Sequence, residues 1–259
     1  MTLLAELLPA ELARSITGRD YMSWSQAQSY LMCPRAFAFK YVEGVEPDFT
    51  PSSLVFGGAL HDCLAEHHRA QLEGVEVPSV EDHKARVDEA LSSAEPELRL
   101  GASETHDSLI DLTGRMMESF IGSEFSAPTG AVVAIEEHCR GVVSDEIPPV
   151  EGYVDLVTLH DDVLTITDYK SSRTAWNEAK VRESAGQLLL YSMLQSDAPD
   201  SSDSCAGVKL QFVTLTKAKK PVVAAHPVTP SEAHRLANLS QTTQQPAQQT
   251  TSATHQKLC

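Results

Sequence analysis

The chain has five cysteines, Cys33, Cys63, Cys139, Cys205 and Cys259, an odd number with no CxxC pair among them. That argues against a disulfide framework and against a structural zinc site. No apolar stretch approaches the roughly 20 residues that cross a bilayer. The leucine-rich opening Met1–Arg14 lacks a basic start and is interrupted by Glu6 and Glu11. It reads as a short amphipathic helix and no signal peptide, so the expected compartment is cytoplasmic, with no membrane partner. A G-x-x-x-x-G-K-[S/T] loop is missing, which excludes an ATP-driven motor; any helicase activity must come from a partner protein. Aromatic residues are scarce at 6%, whereas 42% of the 259 residues are hydrophobic, so a sizeable core must be built from Ala, Leu and Val, as in an α/β protein.

Positive charge is also short. A net charge of −16 argues at first sight against a nucleic-acid partner, which usually leaves a basic footprint. The distribution softens the objection. Acid accumulates between about Glu73 and Glu124, while Arg35 and Lys40, then Arg173, Lys180 and Arg182, then Lys209, Lys217, Lys219 and Lys220 lie elsewhere. This pattern allows a local basic groove on an acidic body, with a modest salt-sensitive component to binding.

The informative residues are Asp155 and Asp168-Tyr169-Lys170. Two β-rich runs, Gly152–Thr158 and Val163–Lys170, flank the turn material His160-Asp161-Asp162, so the spacing predicts a hairpin with both carboxylates at neighbouring positions across it. Period-two alternation places Asp168 and Lys170 on one face and Tyr169 on the other. Carboxylates from two strands suit Mg²⁺ or Mn²⁺, and a lysine beside such an ion can orient an attacking water or stabilise charge on a phosphate. An isolated Asp-x-Lys would read as a surface ion pair at a strand end; the context argues otherwise.

Asp155 within Gly152-Tyr153-Val154-Asp155, then Asp168-Tyr169-Lys170, then Gln187-Leu188-Leu189-Leu190-Tyr191, resembles the PD-(D/E)XK nuclease superfamily, specifically its RecB-type exonuclease branch and the related nucleases of CRISPR adaptation and phages. Ser23-Trp24-Ser25 leading into Cys33-Pro34-Arg35 and Tyr41 is similar to the family's amino-terminal segment. Phe56-Gly57-Gly58-Ala59-Leu60-His61 is similar to its glycine-containing helix with a metal-site histidine.

The resemblance implies a metal-dependent DNA exonuclease of phage or bacterial recombination or repair, acting on single-stranded or duplex ends, with a helicase or recombination protein as a further partner. His61, Asp155 and Asp168 would hold one or two Mg²⁺ or Mn²⁺ ions together with the backbone carbonyl of Tyr169, and Lys170 would be the catalytic lysine. Glu136, at the end of the apolar run Ala131–Ile135, would contribute to the metal site in preference to its neighbour Glu137. Gln187 and Tyr191, four apart on one helical face, would hold the DNA backbone or brace Lys170; the plainer reading of that face is packing on the sheet. Some relatives hold a [4Fe–4S] cluster through one amino-terminal and three carboxy-terminal cysteines. Here only Cys33 and Cys259 match, so no cluster is expected unless the chain is truncated. The alternative, from another class, is a non-catalytic DNA-binding or assembly subunit that keeps the fold.

The expected fold is α/β, a restriction-endonuclease-like αβββαβ core with a mixed central sheet and a helical insertion. The predicted core elements are helix Pro51–Leu72, strands Ala131–Arg140, Gly152–Thr158 and Val163–Lys170, helix Lys180–Gln195 and strand Val208–Thr216. Residues 1–239 read as one domain, helical to about 125 with a catalytic core over 126–220; the Gln/Thr-rich 240–259 reads as a disordered tail and Ser231–Leu239 as a short helix. Gly57-Gly58 is expected to mark close approach of another helix. His67-His68 shows no spacing for a metal shared with His61, and His83, His106, His138, His160, His226, His234 and His255 are expected at the surface.

Overall fold

The computed structural model describes residues 8–196 and 207–229. In chain order it comprises α1 (Pro9–Thr17), β1 (Met22–Ser23), α2 (Trp24–Met32), α3 (Pro34–Phe37) running into a π-helical turn, β2 (Thr50–Pro51) and α4 (Ser52–Glu73). Next come α5 (Val80–Ser92), β3 (Leu98–Arg99) and α6 (His106–Ile121). The core follows as β4 (Ala131–Gly141), β5 (Val150–His160), β6 (Val163–Ser172), α7 (Glu178–Ser184), α8 (Gly186–Ser196), β7 (Gly207–Thr216) and β8 (Val223–Val228). The predicted helix at Ser231–Leu239, the polar tail, Cys205, Cys259, His234 and His255 lie outside the described residues.

Local chemistry sets the boundaries. Ser23, Ser79 and Thr105 each cap a helix by accepting a backbone N–H, at Gln26, Asp82 and Ser108, and each of those side chains bonds back to the capping residue's amide. Gly74, at φ 67°, stops α4 in the left-handed conformation that glycine adopts without cost. The β5–β6 connection is the tightest available: His160 pairs with Val163, and Asp161 and Asp162 both take positive φ. A two-residue hairpin turn with the right-handed strand twist requires that conformation, and Asp tolerates it.

β5 pairs antiparallel with β4 on one edge and with β6 on the other; β6 pairs parallel with β7, and β7 antiparallel with β8. The sheet is therefore mixed, as expected. One face is covered by α4, α5 and α6, whose Phe56, Leu60, Leu64, Val87, Met116 and Phe120 pack with Leu156, Tyr169, Val213 and Leu215. The helical insertion is thus the layer that clamps α4 to the sheet. The other face carries α7 and α8, with Val181, Leu188, Tyr191 and Leu194 on Val150, Ile166 and Phe212.

Four expectations need correction. The helix foreseen over Lys180–Gln195 is two helices meeting at Ala185. The sheet gains β8, a strand containing Pro227 that sits at the edge where proline is tolerated. His83 is not at the surface but fully buried, with neither ring nitrogen hydrogen-bonded among the described residues. Among the described residues Gly57 and Gly58 have no neighbour within 4 Å of an added Cβ, so no described helix approaches them.

A different glycine does mark a close approach. A Cβ at Gly186 would overlap the indole of Trp24, which joins the amino-terminal segment to the start of α8. Gly186→Ala should therefore cost about 1–3 kcal/mol by overpacking. Urea denaturation of Gly186→Ala, Trp24→Ala and the double variant should show strong non-additivity, because the alanine is harmless once the indole is gone.

Buried histidines give the fold a pH dependence. His68 donates to or accepts from the Tyr169 hydroxyl at 2.9 Å, and burial pulls its pKa down from 6.5 to about 4. Between those values the unfolded chain binds a proton that the native state refuses, so this stability is complete above about pH 6.5 and falls as pH drops toward 4. From pH 7.5 to 5 the loss from His68 should be about 2 kcal/mol. Burial lowers His67 and His83 in the same direction. Urea midpoints for the wild type and His68→Asn across that range should show the shallower slope in the variant.

Candidate metal centre

The β5–β6 ladder runs from the hairpin turn to Leu156↔Thr167 and stops. Further back along β5 the same edge is taken by β1, at Met22↔Val150 and Ser23↔Glu151. The two partners leave an interval on that edge which ends at Asp155. There the Asp155 carboxylate accepts the Tyr169 amide N–H at 2.6 Å, standing in for the strand that has moved away. A buried hydrogen bond to a charged acceptor contributes roughly 1.5–3 kcal/mol, enough to keep the parting strands in a fixed relation.

β5 also changes face at this point. Val154 and Val157 pack with the α8 layer, whereas Leu156 packs with the α4 layer, so the two-residue alternation is broken around Asp155. On β4, Ile135↔Leu156 and Glu137↔Val154 bracket Glu136, which lies across from Asp155 with φ 49°. Positive φ is uncommon for a glutamate, and holding one costs on the order of 1–3 kcal/mol. Glu136 is half-buried, while Glu137 is exposed.

α4 supplies the third group. His61 Nδ1 lies 3.2 Å from Asp155 Oδ2. One ligand atom from each of His61, Glu136 and Asp155 falls within 4.8 Å of the others. On β6, Asp168 and Lys170 share a face as alternation requires, and Lys170 Nζ is 2.7 Å from Asp168 Oδ2. That contact is an ion pair between a part-buried ammonium and a buried carboxylate.

The site is short of positive charge. Asp168 is 2% exposed, and burial raises its carboxyl pKa despite the adjacent ammonium, with Asp155 adding to the rise. Desolvation therefore outweighs the Lys170 attraction. Glu136 is raised by burial first and by Asp155 next. For His61 burial works downward, but Asp155 and then Asp168 outweigh it and the net shift is upward. Three carboxylates meet one ammonium, and oxygen and imidazole ligands from three elements converge; a divalent cation fits both the charge and the donor set.

A family model of the PD-(D/E)XK nuclease superfamily matches residues 21–259. The chain belongs to that superfamily. Its fold is shared with a crystal structure from Eubacterium rectale named "Putative exonuclease", at 14% identity over 90% of this chain and 80% of that one, with a TM-score of 0.56. A second solved structure, SSO0001, is 13% identical over 77% of this chain and 78% of that one; its TM-score of 0.27 carries no argument. No curated protein matches.

Within this PD-(D/E)XK nuclease the other residues singled out from sequence lie outside the group of His61, Glu136 and Asp155. Tyr191 is 5% exposed, lies against Gly152 so closely that a Cβ there would overlap its ring, and is 3.4 Å from the Gln187 amide. Burial pushes its hydroxyl up to about 12. Cys33 stands at the start of α3 without a side-chain capping bond, and Cys63 is buried in α4. Arg69, two turns beyond His61, escaped the sequence reading although its charge reaches Glu136; spacing along α4 was the only available signal.

Glu136→Gln should weaken Mn²⁺ binding about tenfold or more, and Glu137→Gln should leave it unchanged. Isothermal titration calorimetry gives the affinities. A Mn²⁺ concentration about 100 times Kd should stabilise the wild type by about 2.7 kcal/mol, an effect that Asp155→Asn should abolish.

Proposed function

We propose that this nuclease is a divalent-metal-dependent DNA exonuclease of the RecB type. The observation that carries the reading is the convergence of His61, Glu136 and Asp155 within 4.8 Å, with Lys170 2.7 Å from Asp168 on the adjoining strand. A bound Mg²⁺ or Mn²⁺ would supply Lewis-acid stabilisation of a phosphoryl oxygen and would make water a competent nucleophile near neutral pH.

The chain's own residues divide the remaining work. Asp155 and Asp168 would hold the cation with His61 and Glu136, the Tyr169 carbonyl would be a further ligand, and Asp155 at the same time fixes the Tyr169 backbone. Lys170 is held on the same face as Asp168, where its ammonium orients the attacking water and opposes charge building on the phosphorane. Tyr191 and Gln187 brace the sheet beneath the site; the burial of Tyr191 supports bracing over direct contact with DNA. Lys217 and Arg173, which directly follow the adjacent parallel strands β7 and β6, add cations for a polyanion beyond Lys170, although Arg173 also lies 3.9 Å from Glu104. Lys180 and Arg182 are occupied by Glu183 and Glu178 within α7. The pathway we favour is bacterial or phage recombination or repair, with strand separation left to a partner.

Purified protein with Mn²⁺ or Mg²⁺ should degrade end-labelled linear DNA, leave a closed circle intact and be silenced by EDTA. Lys170→Ala should lower the rate at least about a hundredfold. Cutting of the closed circle would replace the exonuclease reading with an endonuclease one. Binding without cleavage under either metal would favour a non-catalytic subunit.

A further inference from the structure

α4 meets the sheet largely through apolar side chains, with Phe56, Leu60 and Leu64 packed among Leu156, Val213 and Leu215. Burial of this kind carries no direction of its own. A metal ligand needs one, because its side chain must sit within about 0.5 Å of the productive position. His68 supplies it. His68 Nε2 and the Tyr169 hydroxyl are 2.9 Å apart, both residues are buried, and their rings lie 20° from parallel. Phe120 stands edge-on to both rings and fixes the pair. Other polar side chains of α4 bond away from the sheet: Ser52 to Glu104, Cys63 to the His83 carbonyl, Glu66 to Arg86 and His67 to the Ser126 carbonyl.

The His68–Tyr169 contact closes a loop that passes through the metal centre. His61 Nδ1 lies 3.2 Å from Asp155 Oδ2, and the same oxygen accepts the Tyr169 amide N–H at 2.6 Å. The Tyr169 side chain packs in the α4 layer and ends on His68. His68 follows His61 by seven residues, two turns along one face of α4 and about 10 Å of helix. Tyr169 is thus held at its amide by β5 and at its hydroxyl by α4. A shift of any one of β5, β6 and α4 strains a directional bond to another.

Stability alone does not account for this pair. His68 Nδ1 has no hydrogen-bond partner among the described residues. A buried hydroxyl and imidazole can be exchanged together for apolar groups of similar shape at little cost, so an apolar pair would hold the layers equally well.

We propose that the hydrogen bond between His68 and Tyr169 is a strut that sets the position of α4 on β6 and so keeps His61 in place beside Asp155. His68 and Tyr169 are then positioning residues of the metal centre and touch neither the cation nor the DNA through their side chains. The inference rests on the divalent-cation reading of the site and adds what holds its one helical ligand in place.

The test is a double-mutant cycle of Tyr169→Phe and His68→Leu, read in Tm without metal and in Mn²⁺ affinity by isothermal titration calorimetry. Each single variant leaves one buried polar group unpaired and should lower Tm, and the double variant, which removes both, should recover most of the loss. Affinity should not follow. Each single variant should weaken Mn²⁺ binding about tenfold, and the double variant should remain about tenfold weak despite its restored Tm. His68→Gln, whose amide can still bond the Tyr169 hydroxyl, should restore most of the affinity. In cleavage, kcat should fall in the double variant while KM for DNA holds. Affinity that returns with Tm in the double variant would overturn the proposal, because the pair would then serve stability alone. Affinity unchanged in every variant would overturn it too, while leaving the cation site standing. A wild type that binds no Mn²⁺ would defeat the cation reading and the strut together.

Discussion

A backbone amide inside a sheet is normally satisfied by the next strand. The Tyr169 amide is satisfied by the Asp155 side chain, at 2.6 Å and away from water. This substitution lets β5 and β6 part company without leaving a buried donor unpaired, and the parting makes room for a cluster of charges in what would otherwise be a closed ladder. The same carboxylate oxygen faces His61 Nδ1 at 3.2 Å, so one atom of Asp155 both holds the backbone of β6 and meets the imidazole from α4. Glu136 on the neighbouring strand, and the loss of alternation around Asp155, follow from the same local rearrangement.

Charge balance then sets what the site needs. Lys170 does not compensate the burial of Asp168, whose proton affinity stays raised, and Glu136 shares the same surplus of negative potential. A second lysine in this place would add charge without ligand geometry. A divalent ion supplies both, and the rigid layer of α4, α5 and α6 holds His61 ready for it. The buried contacts of Phe56, Met116 and Phe120 thus serve the chemistry as well as stability, because a loosened α4 would withdraw the imidazole from the carboxylates.

The parts legible in the sequence were those governed by period and spacing. Asp168 and Lys170 share a face because strand alternation holds through β6, and the hairpin arithmetic brought Asp155 beside them because the turn is the shortest possible. The Pro51–Leu72 helix was readable from its apolar spacing. What escaped reading depends on tertiary context. No local signal foretells positive φ at Glu136 or the change of face around Asp155, since both lie where β5 passes from β6 to β1 on one edge while staying paired with β4 on the other. His83 looks polar in sequence but is buried as a neutral imidazole between helices, where packing outweighs its unmade hydrogen bonds. Gly57-Gly58 suggested close helix packing, yet no helix among the described residues lies against it. Trp24 was noticed as a motif residue, but its contact with Gly186, more than 160 positions away, is a property of the folded chain alone.

The central claim is that the parted strands and α4 together form one divalent-cation site. Anomalous diffraction from a crystal grown with Mn²⁺ tests it most directly. The account predicts a peak within coordination distance of His61, Asp155 and Glu136, with Asp168 turned toward it and the Asp155 to Tyr169 hydrogen bond retained. A peak confined to surface histidines, or an empty cluster at a Mn²⁺ concentration that supports cleavage, would contradict it.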